Sequence, residues 1–217
     1  MLNAEKILKL AEQENYIEII EICKKEIISN ETKKSGGMSL EKSRKAFNRY
    51  LKTNQKRCVP QALKYYGLSK IQNFGSCQIC CNGFTAACMF GKPFLDGDFI
   101  QPLPEKATYL NVDHCFPENW RNFPNISEIS QKDIQTAYKL TPQNSNKQRI
   151  VLFENGAYFD LCLVKELFDI LGDCKVYMSN QPTNAAVCLS DFGVGLLLPL
   201  RIPENYQSIK SLKETLA

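Results

Sequence analysis

Four cysteines, Cys77, Cys80, Cys81 and Cys88, lie close together, and the first two have the Cys-x-x-Cys spacing of a zinc knuckle. A structural zinc site needs four ligands converging as a tetrahedron, usually from two such pairs on tight turns. The sequence holds no second Cys-x-x-Cys, and Cys77-Gln78-Ile79-Cys80-Cys81 reads as a strand. On a strand Cys77 and Cys81 share one face and Cys80 takes the other. The metal reading gives way to thiols packed as small hydrophobes, and no cofactor is expected. The single histidine, His114, is the one base available for a Cys–His nucleophilic pair. Such a pair needs hydrogen-bond reach in space, which adjacency to Cys115 does not provide. No Gly-x-Ser-x-Gly, His-Glu-x-x-His, phosphate-binding loop or dinucleotide fingerprint is present. Asp113, Glu118 and Asp160 share no spacing that implies a common site, and Asp160 reads as a helix N-cap. No catalytic residue is assigned; the chain reads as a non-enzyme.

Charge gives a clearer pattern. Residues 1–60 hold 13 Lys/Arg against 8 Asp/Glu, so the net charge of +4 is concentrated in this stretch. Lys42, Lys45, Arg49 and Lys52 recur at steps of three and four, one stripe of a helix starting after Ser39 and running to about Thr53. Leu40, Ser43, Phe47, Tyr50 and Leu51 fall on its opposite, buried side. Two readings stand for the stripe: contact with nucleic acid phosphates, and a solvated face. A solvated face usually mixes signs, whereas residues 39–57 carry seven basic residues and the single acid Glu41.

The elements that would position this stripe follow from periodicity and turn residues. Residues 3–29 read as two short helices with Ile7, Leu8 and Leu10 on one apolar face and Ile17, Ile20, Cys23 and Ile27 on the other. Residues 30–37 are a polar, glycine-paired linker, so residues 1–37 form a helical hairpin with its tether. Ala62–Tyr66 is β-like, and Asn82-Gly83 joins the apolar runs 77–81 and 84–90 as a hairpin whose two turn residues both need positive φ. Residues 91–148, rich in proline and holding His114 and Trp120, read as a long excursion with one helix near 130–139. A second hairpin turns at Glu154-Asn155-Gly156, a helix runs from Asp160 to a Gly172 C-cap, and strands follow at 175–179, 186–189 and 195–202. Residues 204–217 read as a polar tail.

With 217 residues, 44% of them hydrophobic and 23% charged, the chain can bury a core without staples, and extensive disorder is excluded. Its apolar runs are too short to cross a bilayer, so no membrane partner is expected. The charged start, Met1–Lys6, is unlike a signal peptide, and a cytoplasmic location with ten reduced cysteines is expected.

Residues 39–90 and 149–203 share one coarse plan: helix, strand, strand, tight turn, strand. Ile79-Cys80-Cys81-Asn82-Gly83-Phe84 in the first half stands beside Val187-Cys188-Leu189-Ser190-Asp191-Phe192-Gly193 in the second. The chain closes this plan with Leu198-Pro199-Leu200-Arg201-Ile202. In these features it resembles one domain of the bacterial DNA sliding clamp, the polymerase processivity factor. A clamp domain duplicates a β-α-β-β-β unit and ends in a motif of the type M-P-M-R-L. The resemblance implies an α+β fold, a clamp-like domain over 38–203 with 91–148 as an insertion, in which two helices pack on a continuous antiparallel sheet. It implies a non-enzymatic role in DNA metabolism or replication, of the kind met in phages and mobile elements. Double-stranded DNA and replication or host proteins would be its partners. A six-domain ring would take six copies of this chain, as a homo-oligomer. Lys42, Lys45, Arg49 and Lys52 would contact DNA, and Leu198, Pro199, Leu200 and Arg201 would form the lip of a peptide groove, the other reading of these leucines being sheet core. The alternative function is a protein-interaction module, an inhibitor or adaptor that uses the clamp-like fold without encircling DNA, with residues 1–29 or 91–147 as its contact surface.

Overall fold

The computed structural model describes residues 38–54, 65–67, 76–90, 115–201 and 209–217. The expected helices at 3–29, the linker at 30–37, and His114 lie outside the described residues. The first helix, α1 (Leu40–Asn54), begins after Ser39, whose hydroxyl accepts from the Lys42 N–H at 3.2 Å. It leads to β1 (Tyr65–Gly67), β2 (Ser76–Cys81) and β3 (Thr85–Phe90). A 3-10 turn at Trp120–Asn122 precedes β4 (Asn125–Ile129) and α2 (Gln131–Leu140). The chain then makes the short ribbon β5 (Ile150–Leu152) and β6 (Tyr158–Asp160), α3 (Leu161–Leu171), and the strands β7 (Cys174–Met178), β8 (Ala186–Leu189) and β9 (Gly193–Leu197). A short helix, α4 (Leu212–Leu216), ends it. Among the described residues no helix is long and apolar enough to cross a membrane.

The fold is mixed helix and antiparallel sheet. Seven strands lie in the order β1-β2-β3-β9-β8-β7-β4, every neighbouring pair antiparallel, and β5-β6 form a separate ribbon. One run of three strands follows α1 and another follows α3, and the two runs meet where β3 pairs with β9. Alternation along each strand sorts side chains to two faces. Ala87, Met89, Val176, Cys188 and Leu197 face the helices, where Phe47 of α1 and Val164, Leu167, Phe168 and Leu171 of α3 close the larger core. Ala86, Cys88, Val187, Val194 and Leu196 face the other way and are covered by Phe116 and Trp120. Trp120 meets Tyr177 edge-on with ring centroids 4.9 Å apart. With both faces covered, strands such as Ala-Val-Cys-Leu in β8 are apolar at nearly every position.

Local chemistry fixes the element ends. Asp160 caps α3 as expected, its carboxylate accepting from the Cys162 N–H at 2.8 Å, and Gly172 ends the helix at φ 78°. The first hairpin forms, but its turn sits one residue later than expected: Cys81 pairs with Ala86 and the Asn82 N–H donates to the Thr85 carbonyl at 3.1 Å, so Gly83 (φ 84°) and Phe84 make the turn rather than Asn82 and Gly83. Asn82 instead turns its side chain inward, and its Oδ1 accepts from the N–H groups of Phe84 (2.9 Å) and Thr85 (2.8 Å). At the second hairpin Gly156 (φ 82°) donates to the Phe153 carbonyl at 2.9 Å while Phe153 donates to Ala157 at 2.8 Å. This is a three-residue loop with a glycine bulge.

Three further expectations are corrected. The last strand ends at Leu197 rather than 202. Leu198 still donates to Phe84, but Pro199 has no N–H to continue a ladder, and Leu200 turns to the Tyr158 carbonyl at 2.7 Å. Within the expected excursion, the helix appears as Gln131–Leu140, capped by Ser130, and a strand not foreseen from sequence, β4, pairs along β7. Residues 209–217, read as a polar tail, form a bridge and a helix: Ser211 pairs in parallel with Leu152, and a reciprocal Ser211/Glu214 capping box starts α4.

Candidate nucleic-acid interface

Helix α1 has one buried face and one exposed, cationic face. Inward, Ser43, Ala46, Phe47 and Tyr50 are buried. The Ser43 hydroxyl donates to the Ile170 carbonyl of α3 at 2.6 Å, and the Tyr50 hydroxyl lies 2.6 Å from Thr85 Oγ1, locking the helix to both α3 and the β2–β3 hairpin. Outward, Lys42, Lys45 and Arg49 are exposed, as is Arg44 beside them. Lys52 lies on the same helix one step further along the stripe. At 1.5 Å per residue the four stripe positions span about 15 Å of helix.

Acids reach into this stripe at two points. The Glu41 carboxylate sits 2.6 Å from Lys45 Nζ, one turn away, and that hydrogen bond holds the Glu41 carboxyl below its usual value. Both side chains are about three-quarters exposed, so solvent screens the pair strongly. Arg49 lies 3.6 Å from Asp169 Oδ2 of α3. Asp169 is only 12% exposed and is the centre of a small network. Lys165 Nζ approaches to 2.5 Å, and the Gln131 and Gln135 amides of α2 donate at 3.0 and 3.4 Å. It thereby joins all three long helices behind the basic face. The Lys165/Asp169 spacing of four is a sequence signal for that pair. Its link to Arg49, 120 residues earlier, has no such signal.

The other residues singled out from sequence fall elsewhere. Leu198 and Arg201 are exposed, and Pro199 and Leu200 are half-buried, where the chain leaves β9 and crosses to β6. They are not brought near the stripe by any described contact. Cys88, Cys174 and Cys188 are buried; burial pushes Cys188 up to about 12 and Cys174 well above its ordinary value. Cys115 is exposed. Among the described residues no three His, Cys, Asp or Glu side chains converge as metal ligands. Asp160 serves as the α3 cap, and Glu118 is exposed.

No family model matches the chain, and no curated protein matches it. Among solved structures, a DNA polymerase sliding clamp from Pseudomonas aeruginosa, crystallised with a ligand, is similar at 10% identity with a TM-score of 0.37. The match covers 61% of this chain and 43% of the clamp's, so the chain spans less than half the length of that protein.

Proposed function

We propose that this chain is a non-enzymatic protein of DNA metabolism, with a clamp-like α+β domain of the phage or mobile-element kind. The outer face of α1 contacts the phosphates of double-stranded DNA. The observation that carries this reading is the line of exposed cations Lys42, Lys45 and Arg49 on a helix whose opposite face is buried. Two helix-then-three-strand runs meeting at β3–β9, followed by Leu198-Pro199-Leu200-Arg201-Ile202, support the clamp-like duplication. Binding of this kind is electrostatic and reads no base edges.

The test is DNA affinity measured across salt concentrations for the native chain and for Lys42→Glu, Lys45→Glu, Arg49→Glu and Lys52→Glu. Removal of a cation that neutralises one phosphate lowers the slope of log affinity against log salt by about 0.9. Lys42, which has no ion pair among the described residues, changes the slope at least as much as Lys45 or Arg49. Unchanged affinity and slope in all four variants reject the reading.

A second reading, a protein-interaction module, is favoured by the acids Glu41 and Asp169 set against two of the stripe's cations. The exposed Leu198 and Arg201 then form a contact surface for replication or host proteins. A chain that binds no DNA at low salt, and loses partner binding on Leu198→Asp, supports this second reading. Absolute mass by light scattering decides whether six copies assemble, as encirclement of DNA requires.

A further inference from the structure

Residues 209–217 lie in a groove between β4, α2 and β5, and they fill it incompletely. Their attachment is short. Leu152 donates one backbone hydrogen bond to the Lys210 carbonyl at 3.2 Å, on the edge of β5 that β6 leaves open. Leu212 packs against the large core, and Lys213 Nζ lies 2.5 Å from Glu154, whose other oxygen accepts from Ser127. Leu216, one turn beyond Leu212, remains 36% exposed.

Two cavities flank the segment. One of about 680 Å³ lies toward the end of α2, with Leu140, Pro142 and Ile150 on its body side. One of about 470 Å³ lies toward β4, floored by Ile129, Leu152, Phe153 and Met178. Each falls in the range of sites that hold ligands. The lining of the second cavity is acidic: the body contributes Glu128, Asp133 and Glu154 and no Lys or Arg. Lys175 of β7 pairs with Glu128 from outside the lining at 3.3 Å, and Lys213 of the segment itself pairs with Glu154, which leaves Asp133 without an ion pair among the described residues. The free edge of β5 adds main-chain pairing, the recognition mode in which an extended peptide joins a sheet edge and alternate side chains enter pockets.

We propose that the groove between β4, α2 and β5 is a docking site for a basic, leucine-bearing linear segment of a partner protein, and that residues 209–217 occupy it as a displaceable internal ligand. The inference stands independently of DNA contact. The apolar floor takes the leucines, the acidic rim takes the lysines, and the unfilled volume accommodates larger side chains than the segment brings. Docking of the internal segment lowers the partner's apparent affinity by the fraction of time the groove is filled.

The test uses the full chain and fluorescence anisotropy of labelled nine-residue peptides. One peptide has the sequence of residues 209–217. A second carries the changes Leu212→Trp and Leu216→Trp, and a third carries Lys210→Glu and Lys213→Glu. The tryptophan peptide is expected to bind the native chain at least tenfold more tightly than the first, because it fills space that the segment leaves open. The charge-reversed peptide is expected to bind at least tenfold more weakly. Full-length Leu212→Asp, in which the internal segment is released, is expected to bind the first peptide at least tenfold more tightly than the native chain does. Should that variant fail to fold, Lys213→Glu, whose side chain is 82% exposed, gives a smaller gain in the same direction. A tryptophan peptide no better than the first overturns the proposal, leaving the segment as part of the fold. Equal binding of all three peptides overturns it too, as does a native dimer that Leu212→Asp dissolves, which would place the segment in a second copy.

Discussion

Asp169 is where the fold and the basic face can be pulled apart experimentally. Replacing it with alanine removes the carboxylate that receives Lys165 at 2.5 Å and the Gln131 amide at 3.0 Å. The Gln135 contact, at 3.4 Å, is weaker. Hydrogen bonds to a charged group contribute about 1.5–3 kcal/mol each when shielded, but Lys165 is one-third exposed and the Arg49 pair is mostly solvated. The expected loss for Asp169→Ala is therefore about 2 kcal/mol, dominated by the α2–α3 contacts. In urea, where a chain of this size has a slope of about 2 kcal/mol per molar, the midpoint falls by about 1 M. Asp169→Asn keeps the shape and one acceptor and loses about half as much. On the proposed reading DNA binding moves the opposite way, though by little: with the acid gone Arg49 no longer has to leave a partner, and because that pair is solvated the salt slope steepens by well under the value of about 0.9 for a whole phosphate contact. A variant as stable as the native chain within about 0.5 kcal/mol would refute the claim that Asp169 ties the helices. A slope that stays put would refute the claim that it restrains the basic face.

Further outcomes follow from the packing. A Cβ on Gly193 would drive into the Cys88 carbonyl oxygen across the β3–β9 pair, so Gly193→Ala is expected to cost about 3 kcal/mol or more, read as a collapse of the thermal transition. Asn82→Ala, which strips the acceptor from two hairpin N–H groups, is expected to cost about 1–2 kcal/mol in urea unfolding, and Asn82→Asp to recover most of it. Iodoacetamide at pH 8, followed by peptide mapping, is expected to modify exposed Cys115 at least tenfold faster than Cys174 or Cys188. Both buried thiols are pushed up by burial, Cys188 to about 12, and stay protonated until the chain unfolds.

The parts of this architecture that announce themselves in sequence are those governed by local rules. Gly83, Gly156 and Gly172 each stand where the chain takes positive φ, and the hairpins and the end of α3 follow from them. Strands β8 and β9 are recognisable because both of their faces are covered, which makes them continuous apolar runs. Strand β4 is hidden for the opposite reason: it is an edge strand whose Ile126 is half-exposed, so its apolar pattern does not distinguish it from a loop. The segment 209–217 is hidden because most of its residues are polar and its docking rests on Leu212 and one ion pair, made with residues some sixty positions earlier. Of the basic face, the stripe is visible as spacing. The counter-charge from Asp169 is not, because folding alone brings it there.

That distinction governs how the stripe can act. The cations of α1 and its buried face alternate within single turns, so the same backbone that carries Lys42 and Arg49 outward carries Ser43 and Tyr50 inward. Anchored to Ile170 on one side and Thr85 on the other, the helix cannot rotate its stripe toward a ligand without breaking two buried hydrogen bonds, a cost of about 1–3 kcal/mol each. The charge is therefore presented in a fixed line, and the freedom left to it lies in the side chains. Arg49 can leave Asp169 for a phosphate at little cost, because the pair is open to solvent and Lys165 remains to satisfy the carboxylate. Lys45 can leave Glu41 for the same reason. Exchange of partners on a rigid helix, rather than movement of the helix, is the step by which this face would engage a polyanion. It follows that, on the proposed reading, Glu41→Gln and Asp169→Asn should each tighten DNA binding by no more than the ~1 kcal/mol that an exposed ion pair contributes, while Ser43→Ala weakens only the fold.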